Sequence, residues 1–91
     1  MDRIIRPDGA VIPASPKNKK DYKLKELQEI VGGYIEIVPA VHSDEVIVVN
    51  EEGKLLNLPY NPIATLYFQA YWDTNDYIVG NVLICDKKHI K

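Results

Sequence analysis

At 91 residues, with 46 % apolar and 26 % charged content, the chain has the size and composition of one globular domain, and no apolar run approaches the roughly 18 residues that a membrane helix needs. The net charge of −2 is unevenly divided: residues 1–25 carry seven Lys/Arg against three Asp/Glu, and residues 26–91 carry four against ten. The acidic majority argues against nonspecific nucleic-acid binding, which rests on cationic contacts to phosphate, and the single cysteine, Cys85, rules out an internal disulfide and fits a reducing compartment.

The first residues, MDRIIRPDGA, hold no apolar core of signal-peptide length, which points to an intracellular protein. Residues 2–6 and 10–13 are short β-prone segments around Pro7-Asp8-Gly9, a strong turn signal, and together predict a small hairpin. A polar connection follows, rich in proline and lysine, so residues 1–20 read as hairpin plus flexible linker and residues 21–86 as the core of a single domain 1–91. Asp21 is placed to cap a helix whose apolar positions are Leu24, Leu27, Ile30 and Val31, ended by Gly32-Gly33.

Tyr34-Ile35-Glu36-Ile37-Val38 alternates with the period of a strand, with Ile35 and Ile37 on the face turned to the helix and Tyr34 and Glu36 on the other. The β-branched run over residues 45–49 predicts a buried strand. Asn50-Glu51-Glu52-Gly53 supplies turn chemistry, and residues 54–58 would return as the second arm of a hairpin until Pro59 stops the pairing. Asn61-Pro62 reads as a helix cap followed by proline at the first helical position, with Ile63, Leu66 and Ala70 on one face. Tyr67, Phe68, Tyr71 and Trp72 suit strands as well as helices, so residues 62–72 stay open between the two. A loop at residues 71–76 leads to one bent strand over 77–85, kinked at Gly80, and a charged tail. The order β-β-α-β-β-β-α-β gives an α+β fold: a small, mainly antiparallel sheet with two helices packed on one face.

No arrangement in the chain calls for catalysis. His42 and His89 are far apart and outside any Cys/His/Asp cluster with metal spacing, and no glycine-rich phosphate loop is present. Cys85, inside an apolar run, reads as a small hydrophobe, and Glu51-Glu52 as solvated charge on a turn. No cofactor, metal or catalytic residue is assigned. The polar corner between hairpin and second helix, with Asn50, Asn57, Tyr60, Asn61 and Thr65, either caps and turns the backbone or lines a pocket. Tyr34 could add a stacking ring, and Arg3 and Arg6 cations for a phosphate. A domain this short buries a modest core, so a homo-oligomer is expected.

Three pieces carry a resemblance: LQEIVGGYIE over residues 27–36, NEEGK with LPYNPIAT over 50–54 and 58–65, and DYIVGNV over 76–82. In order and spacing they resemble a family of short domains of unknown function carried by phages, plasmids and integrative elements, over roughly residues 20–85. The family brings no established activity, so no catalytic residue transfers. What the resemblance implies is a mobile-element accessory protein in a bacterial cytoplasm. In that setting a non-enzymatic anti-defence protein is expected, one that sequesters a nucleotide-derived immune signal of cyclic nucleotide or cyclic ADP-ribose type. Its ligand-binding candidates are Tyr34, Asn50, Asn57, Tyr60, Asn61, Thr65, Arg3 and Arg6. The alternative is a protein–protein inhibitor of a host defence enzyme; a nucleic-acid-binding accessory factor is disfavoured by charge.

Overall fold

The computed structural model describes residues 1–41, 43–72 and 74–90, so His42, Asp73 of the loop at 71–76 and Lys91 of the tail lie outside it. Two strands, β1 (Arg3–Ile5) and β2 (Val11–Pro13), form the N-terminal hairpin around the Pro7-Asp8-Gly9 turn. They are followed by α1 (Leu24–Val31), β3 (Ile35–Pro39), β4 (Glu45–Asn50), α2 (Pro62–Trp72), β5 (Val82–Asp86) and a short 3-10 turn, Lys87–His89. The sheet has five strands in the order β2-β1-β5-β4-β3, and every neighbouring pair is antiparallel.

The α+β class and the antiparallel sheet are as the sequence implies, but the helices occupy opposite faces rather than sharing one. Strands buried on both sides lose the simple in–out alternation and become near-continuous apolar runs. That is the character of β4 (EVIVVN) and β5 (VLICD). Ile47, Val82 and Ile84 pack with Ile5 against Ala64, Phe68 and Trp72 of α2. Val46, Val48, Leu83 and Cys85 point the other way and pack against Leu27 and Val31 of α1, with Tyr22.

The expected strand at residues 54–58 is absent; residues 51–57 are a run of turns instead. The cause is the sheet itself. β4 pairs with β3 along one edge and β5 along the other, which leaves no edge for a returning arm. The hairpin partner of β4 is therefore β3, and the chain coils through Leu56 N–H to Glu52 O and Leu58 N–H to Gly53 O. Pairing also resumes just past Pro59, where Tyr60 bridges Val79. The bent strand expected over 77–85 is divided at Gly80 (φ +75°) into that bridge and β5. A Cβ there would stand 2.8 Å from Leu58 Cδ1 and push that side chain aside, and the positive φ itself favours glycine.

Two helix details differ from expectation. The N-cap of α1 is Lys23 rather than Asp21. Glu26 reaches back to accept from Lys23 N–H (2.8 Å) and Lys17 N–H (3.0 Å), and these bonds hold its carboxyl below the usual carboxylate range. Gly32 ends the helix in the left-handed conformation (φ +80°), as its position suggests. Residues 62–72 are helical, but the inward residues of α2 are Ala64, Thr65, Phe68 and Trp72, while Ile63, Leu66 and Ala70 face outward. The two large rings set the phase: Trp72 is 5 % exposed and its indole N–H bonds to Val38 O at 2.8 Å.

Candidate functional site

The corner residues named from sequence divide into those consumed by the backbone and those left in solvent. Asn61, fully buried, accepts from Ala64 N–H (3.1 Å) as the cap of α2 and donates to Ile5 O (3.0 Å) and Gly80 O (2.9 Å). Asn50 donates to Val31 O (3.1 Å) and accepts from Glu52 N–H (2.8 Å). Thr65 accepts from Ile78 N–H at 2.9 Å. These three tie helices and loops to the sheet. Asn57 is exposed and takes φ +58°, the left-handed residue of the turn. Tyr34 and Tyr60 are exposed, and Tyr60 stands 6.3 Å from Tyr77.

The arginines do not join them. Arg3 binds Glu45 Oε2 (3.0 Å) and covers the Tyr67 ring at 4.8 Å, while Tyr67 donates to Glu45 Oε1 (2.6 Å). Arg6 pairs with Asp8 at 3.1 Å and borders a separate, open hollow with Pro59, Gly80 and Asn81.

Burial alone would raise the Glu45 carboxyl, but the bonds from Arg3 and Tyr67 outweigh it and hold the group below its ordinary value. As pH falls, the unfolded chain therefore takes up this proton first, and the stability supplied by Glu45 is present above the unfolded carboxyl range and lost on acidification through the folded value. Thermal unfolding followed between pH 6 and pH 3 is expected to show a steeper fall in Tm for the wild type than for Glu45→Gln (a range set around the ~4.3 of a free glutamate). Equal slopes would remove Glu45 from the acid response.

A concave site does lie beside this corner, built from residues that sequence reasoning did not gather. It is a cleft of about 430 Å³ on the α2 side of the sheet, between β3–β4, the turns after Asn50, α2 and the segment at residues 76–79. Val38, Val49, Phe68 and Ile78 form its apolar lining. Its polar groups are Glu36, Glu51, Lys54, Asp76 and Tyr77, with Asn50 at one wall. Lys54 Nζ lies 2.5 Å from Asp76 Oδ1 and 4.2 Å from the centre of the Tyr77 ring. That ammonium, with Tyr77 N–H, holds the Asp76 carboxyl below its usual range. One lysine against three carboxylates leaves two negative charges, those of Glu36 and Glu51, both exposed. The available signal was the pattern of β3, which puts Glu36 on the same face as Val38; nothing local places Lys54 and Asp76, 22 residues apart, in contact.

Cys85 is buried, and burial followed by the nearby Asp2 carboxylate pushes its thiol up to about 12. Among the described residues no group of three or more metal-ligating side chains converges, and no helix is long and apolar enough to cross a membrane.

Comparison with known proteins gives no match among curated proteins or solved structures. A protein-family model matches residues 4–90, which takes in the N-terminal hairpin as well as the core; on that match the chain belongs to the family described as a domain of unknown function, DUF3846.

Proposed function

We propose that the chain is a non-enzymatic accessory protein of phages, plasmids and integrative elements, working in the bacterial cytoplasm, that binds a host defence protein at the acidic-mouthed cleft. The observation that carries this reading is the cleft's charge. Glu36 and Glu51 stand uncompensated over an apolar lining, while the one cation, Lys54, is spent on Asp76. Such a mouth suits a lysine or arginine side chain with apolar neighbours, the chemistry of a protein surface, and opposes a phosphate. The non-enzymatic part rests on Asn50, Asn61 and Thr65 giving their hydrogen bonds to the backbone, and on a buried, protonated Cys85.

Sequestration of a nucleotide-derived signal is the second reading. Two features favour it: a volume of about 430 Å³, within the usual small-ligand range, and the Tyr77 ring beside a cation. Charge ranks it below the first. The two separate in paired measurements. The first reading expects no thermal shift with a panel of cyclic nucleotides and cyclic ADP-ribose-type compounds. It also expects capture of a defence enzyme from defence-active cells, weakened at least about tenfold by Glu36→Lys with Glu51→Lys. Nucleotide-induced stabilisation that grows when those charges are reversed would overturn it in favour of the second.

A further inference from the structure

The outward face of α2 is as apolar as its inward face. No residue between Pro62 and Trp72 is charged, although a quarter of the chain is. A helix that is apolar all round is normally covered on all sides. Here α2 is covered on one side only. Leu66 is 70 % exposed, Ile63 40 % and Tyr71 42 %, and Ala70 lies on the same outer side. Gln69, the one amide of the helix, is turned away to Asn75 O and Asp76 O, so it puts no polar demand on this face. The surface continues onto the sheet edge. Val11 of β2 is paired with Ile5, on the α2 side, and is 51 % exposed.

We infer that this face is the contact between two copies of the chain, formed by two α2 helices packed antiparallel about a two-fold axis. The spacing is self-complementary. With the axis passing beside Leu66, Ile63 of one copy lies opposite Ala70 of the other and the two Leu66 side chains meet near the axis, while Tyr67, packed on the core beneath Arg3 and bonded to Glu45, stays at the flank. The same patch thus serves both copies, as an isologous contact requires. Charge selects the occupant. Copies that each carry −2 meet here without apposing like charges or burying an unpaired one, whereas a charged partner finds nothing on α2 to complement. Area is adequate only if the flanks take part. A helix of 11 residues is about 16 Å long, and a stable contact needs about 800 Å² per copy, roughly a seventh of the 5619 Å² surface, so Val11 and Tyr71 belong to the interface.

Sedimentation of the purified full chain tests this. The wild type is expected to run as a dimer at micromolar concentration. Leu66→Glu should run as a folded monomer, with its circular dichroism retained because the side chain is exposed and with dimer affinity down at least about 100-fold. Leu24→Glu, also at an exposed apolar residue but on α1 across the sheet, should remain a dimer. Oxidation of an Ile63→Cys, Ala70→Cys double variant should give a covalent dimer, the native cysteine being buried. A wild type that stays monomeric to roughly 100 µM, a dimer that survives Leu66→Glu, or a dimer that the engineered cysteines fail to lock would each overturn the inference.

Discussion

Replacing Asn61 by alanine is expected to destabilise the domain by about 3–4 kcal/mol, the largest effect of any single polar substitution here. The side chain does three things at full burial: it caps α2, and it holds Ile5 O of β1 and Gly80 O of the kink before β5. Loss of a cap alone costs about 1 kcal/mol. The remainder comes from the two amide donor bonds lost at the Ile5 and Gly80 carbonyls, at about 1–3 kcal/mol each before relaxation. For a domain of this size the midpoint should fall by roughly 15–25 °C, readable by calorimetry or urea titration. Asn61→Asp would restore the cap but present no donors to the two carbonyls, and should recover little. If Asn61→Ala shifts the midpoint by only a few degrees, the corner is held by something other than this amide.

Asp2→Ala is expected to cost about 2–3 kcal/mol, next in size. The Asp2 carboxylate is 4 % exposed and collects the Tyr22 hydroxyl (2.8 Å), Asp86 N–H (3.0 Å) and His89 Nδ1–H (2.6 Å). Alanine would strand the Tyr22 hydroxyl inside the α1 cluster, where burial and then Asp2 already raise its pKa and keep it protonated. His89 is 29 % exposed at its side chain and can turn to water, which holds the loss below that of three full hydrogen bonds. Tyr22→Phe removes a single donor and should cost about 1 kcal/mol. Equal losses for the two variants would mean that the hydroxyl, not the carboxylate, organises the cluster.

What could be read in advance was local. The Pro7-Asp8-Gly9 reversal, the Asn61-Pro62 helix start and the Gly32 stop each depend on residues a few positions apart, and the structure has all three. What failed depended on distant partners. Residues 54–58 have turn and strand chemistry, yet β5 already fills the edge they would need. The phase of α2 follows from where Trp72 finds Val38 O, 34 residues away, so the face shared by Ile63, Leu66 and Ala70 turns out to solvent, which the spacing alone does not decide. The site followed the same rule. Asn50, Asn61 and Thr65 stand out by their polarity, but beyond the local bonds from Glu52 and Ala64 N–H their partners lie 13 to 56 residues off and are backbone groups. Glu36, Glu51, Lys54 and Asp76, the charged groups of the cleft, come from three separate segments and share no motif.

The position of β5 has a consequence for how the protein is made. It is the middle strand of the sheet, pairing Ile84 with Arg3 on one side and Cys85 with Val46 on the other, yet it is synthesised after both hairpins. Until residues 82–86 leave the ribosome, the β1–β2 and β3–β4 pairs have no strand between them, and each is too small to persist alone. Folding must then wait until residues 82–86 have cleared the exit tunnel. A ribosome stalled before Val82 should carry a protease-sensitive polypeptide, and one that exposes Asp86 beyond the exit tunnel should carry a resistant one.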